Sequence, residues 1–298
     1  MKNSLQIFAS LVLVCFCTIS FAQKDFQGKA YYMSKTTMDL DQWGGREMTP
    51  EQKKRIEERM KSFLEKEYIL TFNKEESIYK EDEKLEAPGS GGRFGGFASS
   101  FSGGPKYKNV KSKELLQDQE FFGKQFLIKD ELKSLEWKMG TETKQIGQYT
   151  CFKATATKTV DEFDWRSMRR RGDRDEDKKE AEKKNDSLKK DNDPMNEIEV
   201  PKTIEVVAWY TPQVPINQGP DDYWGLPGLI LEINADRTTI LCTKIVMNPE
   251  EKEEIEKPKK GDEVTKAEYN EIITKKMQEM REMYGGRRGS RSGGGRRH

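Results

Sequence analysis

The chain has 298 residues, of which 35% are charged and 34% hydrophobic, and its formal net charge is +1 at pH 7. That balance predicts a core smaller than the length suggests and leaves no global field to gather nucleic acid. The single histidine is the last residue, His298, which excludes Ser-His-Asp and Cys-His nucleophile sites and His-ligated zinc.

Residues 1–22 read as a cleavable secretory signal. Lys2 supplies the positive start, residues 5–21 the apolar run, and Ser20-Phe21-Ala22 the small residues that signal peptidase requires. The mature chain is therefore expected to begin at Gln23, outside the cytoplasm. About 17 apolar residues are short for a ~30 Å hydrocarbon core, and no later stretch is long enough to span one. Cleavage removes Cys15 and Cys17, leaving Cys151 and Cys242 to form one disulfide or to remain two buried thiols.

The first strand is expected over 29–38. Thr49-Pro50-Glu51-Gln52 then forms a capping box with proline in the first turn. It opens a helix carrying Ile56, Met60, Phe63 and Leu64 on one stripe, expected to lie across a sheet. Strands follow over 68–73 and 77–80. Residues 88–105 (PGSGGRFGGFASSFSGGP) bury too little side chain to offset their ordering entropy and are expected to form a flexible loop. Phe94, Phe97 and Phe101 within it could dock on a partner or membrane surface.

Further strands are expected over 125–128, 135–139 and 148–159. Residues 162–197 mix acids and bases with few large apolar groups, the pattern of a disordered insertion. Strands return over 203–210, 229–234 and 239–246, the last two joined through Asp236-Arg237 as a hairpin. Thr265-Lys266-Ala267-Glu268 opens a second helix whose apolar face is Tyr269, Ile272, Ile273, Met277, Met280 and Tyr284. Methionines at that spacing read as packing rather than a copper site. Residues 285–298 form a basic Gly/Arg tail that could touch anionic lipid or an acidic partner. The class is mainly β with antiparallel pairing and two helices (α+β), in one domain over 23–284.

Chemistry is harder to find. No P-loop or dinucleotide fingerprint occurs between a strand and a helix, and neither a cofactor nor a metal is expected. Asp39, Asp41 and the acids of 173–177 lack the glycine and terminal glutamate of a calcium loop. Asp221-Asp222 beside Tyr223-Trp224 is the best carboxylate pair for hydrolysis of a stacked sugar, but adjacent side chains seldom aim at one bond, so a polar turn is expected there.

The most unusual segment is 203–233, TIEVVAWYTPQVPINQGPDDYWGLPGLILEI. Pro212, Pro215, Pro220 and Pro227 each fix φ, and Gly219, Gly225 and Gly228 permit turns closed to other residues, so the loop should hold one shape. Its candidate binding residues are Trp209, Tyr210, Pro215, Gly219, Pro220, Tyr223, Trp224, Gly225, Leu226, Pro227 and Gly228.

Gly225-Leu226-Pro227-Gly228-Leu229-Ile230, with Trp209-Tyr210-Thr211 and Gly219-Pro220 upstream, resembles the GLPGLI family of exported proteins of Bacteroidetes-type Gram-negative bacteria. The block Ile146-Gly147-Gln148-Tyr149-Thr150-Cys151-Phe152-Lys153-Ala154 is similar to a second motif of that family, in the right order. Val214-Pro215 departs conservatively from the commoner Ile-Pro. The resemblance covers about residues 128–246 and implies an envelope protein, periplasmic or outer-membrane associated, with no catalytic residues to carry over. It also implies a curved antiparallel sheet or half-barrel with covering helices. The resulting expectation is a non-enzymatic module binding an apolar ligand or an outer-membrane partner. The alternatives are a carboxylate-dependent hydrolase and a structural envelope component with a lipid-touching tail.

Overall fold

A computed structural model describes residues 26–37, 49–82, 103–160, 169–170, 198–199, 202–251 and 253–285. The signal segment, Asp39 and Asp41, the three phenylalanines of the Gly-rich stretch, nearly all of 162–197 and the basic tail after Gly285 lie outside the described residues.

The expectation of a mainly β protein with two helices is met. One sheet of 12 strands holds the molecule together. Its strands are β1 (Gln27–Thr36), β2 (Glu65–Asn73), β3 (Glu76–Glu81), β4 (Lys106–Asn109), β5 (Glu114–Phe121), β6 (Lys124–Glu131), β7 (Lys138–Ile146) and β8 (Tyr149–Thr159). They continue after the insertion as β11 (Thr203–Thr211), β12 (Leu229–Ala235), β13 (Thr238–Met247) and β14 (Asp262–Val264). A separate pair, β9 (Arg169–Arg170) with β10 (Ile198–Glu199), lies within and just after the charged insertion. The large sheet runs in the order β14-β6-β5-β4-β3-β2-β1-β13-β12-β11-β8-β7, and all its pairs are antiparallel except β14 with β6.

Alternation decides which way each strand faces. In β1, Gly28, Ala30, Tyr32, Ser34 and Thr36 are buried while Lys29, Tyr31, Met33 and Lys35 are not, the period of two of a strand with one covered face. Polar strands are the ones the sequence conceals. β5 buries Gln117 and Gln119 on the inner face, and β7 is almost wholly exposed, so neither shows the apolar alternation that marks a strand. β4, β5 and β14 were for this reason not expected, and β7 starts and ends later than 135–139. The β12–β13 hairpin does turn at Asp236-Arg237, with Asp236 at φ 52°.

Both capping boxes form. Thr49 and Gln52 exchange bonds of 3.0 and 3.3 Å at the start of α1 (Pro50–Leu64). The Glu268 carboxylate accepts from the Thr265 backbone at 2.7 Å at the start of α2 (Lys266–Gly285). Of the two described helices, α2 is the one that buries side chains on the sheet, packing Tyr269 and Ile273 on Phe121, Phe126 and Ile128. α1 was expected to lie across the sheet, but none of its residues is buried. It bears four large apolar side chains among fifteen residues, and only Phe63 and Leu64, in its last turn, reach the inner face before the chain continues directly into β2.

The outer face is bound by a strap. After β13 the chain crosses the back of β1 to β5 to reach β14. Along the way Glu253 pairs with Lys29 at 2.6 Å, Ile255 packs on Tyr107, Leu116 and Leu127, and Lys257 pairs with Glu114 at 2.8 Å. It enters β14 through Gly261, where φ is +100° and a Cβ would lie 2.7 Å from backbone atoms of Gln125 and Phe126.

Candidate functional site

The loop between β11 and β12 folds down into the concave face and fills one end of it. Val214, Ile216, Leu226, Leu229 and Ile230 are buried there against the core of β1, β2, β8 and β13. The loop is bonded to itself, with Gly225 N–H donating to Asn217 O at 3.1 Å, Leu229 to Val214 at 3.0 Å and Ile230 to Gln218 at 3.1 Å. These bonds tie the prolines and glycines of the loop into one compact turn structure. Gly228 passes so near β11 that an added Cβ would stand 2.2 Å from Thr211 O.

This plug is anchored from several directions. The Tyr32 hydroxyl donates to Ile230 O at 2.7 Å, and Ser77 donates to Gln218 Oε1 at 2.8 Å. Trp137 Nε1 donates to Trp224 O, and Trp224 Nε1 to Lys133 O, both at 2.9 Å, tying the β6–β7 crossing to the plug. Lys108 is fully buried, and its ammonium nitrogen donates to Gly219 O at 2.6 Å and Tyr223 O at 3.1 Å. Burial pushes Lys108 down to about 7 against the opposing pull of Asp222 and Asp221.

Asp221 and Asp222 explain how far the sheet curls. Asp221 pairs with Lys106 of β4, while Asp222 takes Lys158 of β8 at 2.7 Å on both oxygens. In the sheet those strands stand seven places apart, about 34 Å of flat sheet at ~4.8 Å per strand. Consecutive Cα atoms are only about 3.8 Å apart. Two neighbouring aspartates can hold both strands only because the sheet curls until its walls face each other. Asp221 accepts φ 51° to do so, a left-handed conformation that aspartate tolerates better than most residues.

The electrostatics follow the pairing. Burial raises the Asp222 carboxyl, but the Lys158 ammonium outweighs it and holds the group below the usual carboxylate range. Burial also works against Lys158, whose pKa is nonetheless raised by Asp222, Tyr223 and Asp221. Its ammonium lies 4.5 Å from the Tyr223 ring centre.

Beyond the plug the curled sheet encloses a trough of about 1250 Å³. Strands β1 to β3 and β13 form its floor, β4 to β6 with α2 one wall, β8 and β11 the other, and Asp221, Asp222 and Tyr223 its closed end. Phe63 and Leu64 of α1 line it as well.

The candidate loop residues thus divide. Tyr223 reaches the trough, while Trp224 and Leu226 are buried as anchors, and Pro215, Gly225 and Pro227 are exposed; the hydrolase candidates Asp221 and Asp222 line the trough as well. Gly219 and Pro220 are buried within the plug. Trp209 lies under the Lys144 ammonium at 4.5 Å, and Tyr210 packs its ring 6.2 Å from that of Phe152. Neither lines the trough. Cys151 and Cys242 are free, buried thiols on β8 and β13, strands separated in the sheet by β11 and β12. Burial pushes them up to about 11 and about 12. The lysines 106, 108 and 158 were missed in the sequence. Their signal was the placement of Lys106 and Lys108 two apart on one short strand, which aims both to the same face.

Residues 137–232 match a family model described as a protein of unknown function, Porph_ging. This uncharacterised family is named for Porphyromonas gingivalis, which fits a Bacteroidetes-type family. The matched span runs from the start of β7 into β12 and takes in the whole plug and the Lys158 wall. No curated protein matches the chain. Two solved structures of PNGF-II, in C2 and P21 crystal forms, are each 13% identical to it, with TM-scores of 0.44 and 0.45. Each match covers 84% of this chain and 33% of the other, so the chain spans about a third of their length.

Proposed function

We propose that this is an exported, non-enzymatic envelope protein of the GLPGLI type whose curled sheet holds a ligand in the trough. The observation that carries this reading is the trough itself: about 1250 Å³ between two walls, closed at one end by a rigid plug. Sites for small ligands commonly run to ~300–1,000 Å³, so there is room for an extended molecule. The mixed lining favours a ligand bearing polar groups over a wholly apolar one. Native mass spectrometry of protein purified from its own envelope tests the reading. A bound mass that remains with the folded monomer is expected, and a clean ligand-free monomer overturns it.

The geometry of the two aspartates disfavours a carboxylate hydrolase. Each faces a lysine, and Lys158 holds Asp222 ionised, so Asp222 is not poised to donate a proton at neutral pH. Asp221→Asn and Asp222→Asn are expected to lower thermal stability and leave any hydrolytic rate of the purified protein unchanged. A loss of turnover in variants that remain folded would restore the hydrolase.

A further inference from the structure

Resting on the reading of the trough as a binding site, its lining also narrows the chemical class of what it holds. Lysines and carboxylates line it in equal number, so no net charge selects an anion or a cation. The floor is polar where a carrier of acyl chains would be apolar. Ser34 and Thr36 of β1 and Thr238 of β13 are buried in the floor, and Gln117 and Gln119 of β5 in the adjoining wall. A hydrocarbon chain laid over them would strip water from hydroxyls and amides and return no hydrogen bond.

Those groups are already ordered. Gln117 donates to Gln119 at 2.9 Å, and the Thr36 and Thr238 hydroxyls lie 2.9 Å apart. The Gln119 amide nitrogen also donates to Glu120 O at 3.2 Å, so a ligand would meet groups already held in place by the protein. Aromatic surface is interleaved with them. The half-buried Tyr68 supplies it, stacked on Tyr79 at 4.7 Å in the floor, while Tyr79, Tyr223 and Tyr269 are themselves buried. Planar amides and carboxylates fixed beside the Tyr68 ring meet the two needs of a sugar ring, hydrogen bonds at its hydroxyls and an apolar surface for its C–H faces.

We propose that the trough takes a neutral oligosaccharide. An extended peptide is the less favoured occupant, because the floor strands are paired with neighbours on both sides and offer no free backbone edge for an added strand.

The test is isothermal titration of the mature full-length chain with maltohexaose, chitohexaose and xylohexaose. Dodecylphosphocholine below its micellar concentration and an uncharged Ser/Thr-rich decapeptide serve as the competing probes. At least one hexasaccharide is expected to bind saturably, with affinity changing less than about twofold between low and high salt, as a neutral ligand requires. Gln119→Ala and Tyr68→Ala should each weaken it at least tenfold, and circular dichroism identifies which variants are folded. Should Gln119→Ala unfold, Tyr68→Ala decides. The proposal is overturned if only the amphiphile or the peptide binds, if no saccharide binds at millimolar concentration, or if binding survives both folded variants. A native occupant of another class would then leave the trough a binding site with this ligand class wrong, whereas an empty native protein would end both readings.

Discussion

Gly228→Ala is expected to destabilise the protein by about 3 kcal/mol or more, a large share of the ~5–15 kcal/mol that holds a typical domain folded. The new Cβ would fall 2.2 Å from Thr211 O, 2.5 Å from Thr211 C and 2.9 Å from Pro212 N. All three are backbone atoms at the exit of β11, so no side chain can swing away. Relief requires moving the strand end or lifting the plug, and lifting the plug would expose Leu229 and Ile230. Gly225→Ala makes the internal control. Its φ is +92°, but the nearest atom to its Cβ is Ser134 Oγ at 3.4 Å, so its cost is conformational alone, about 1–2 kcal/mol. Urea unfolding of both variants separates the two causes. A Gly228→Ala protein no less stable than Gly225→Ala would show that the loop is not seated as described.

The second large effect belongs to Lys108. A neutral amine carries two hydrogens, and two carbonyls, those of Gly219 and Tyr223, receive them. Lys108→Met removes both bonds and is expected to cost about 2–6 kcal/mol, at ~1–3 kcal/mol for each buried acceptor left unmade. The pH dependence has a definite sign. Folding lowers this group from its ordinary value of 10.5 to about 7, so between those values the unfolded chain binds more protons than the folded one. Wild-type stability therefore gains from this group as pH rises from 7 toward 10.5, by at most about 1.4 kcal/mol per pH unit. Below pH 7 the cost of burying the charge is fully present. The methionine variant lacks this gain, so the gap between the two proteins should widen from pH 6.5 to pH 9.5. A gap that stays constant or narrows would mean that Lys108 remains charged in the fold.

Local signals in the sequence located most of the fold. Thr49 and Thr265 opened the two helices, Asp236-Arg237 turned the hairpin, and strands with β-branched or alternating residues were found within a few residues of their ends. Strands whose inner positions are polar escaped, because Gln117 and Gln119 are buried for what they line rather than for their hydrophobicity. The rigid loop was also legible, since proline and glycine act through the local backbone. What it does was not. Asp221 and Asp222 looked like a turn because their partners, Lys106 and Lys158, come from strands more than 60 residues earlier in the chain. Only the curl of the sheet brings those lysines to neighbouring carboxylates, and that curl is a property of all twelve strands together.

The position of β1 has a consequence for how the protein is made. It pairs with β2 on one side and with β13 on the other, Gly28 lying opposite Met247 across nearly the whole length of the chain. Closing so long a loop is entropically costly, and contacts this distant in sequence are formed slowly. As the chain is synthesised, β1 has only one of its two neighbours until β13 has followed. The two halves of the sheet can join only once β13, beginning at Thr238, has been made, so until then the growing chain carries an unpaired strand edge that must be kept from other chains.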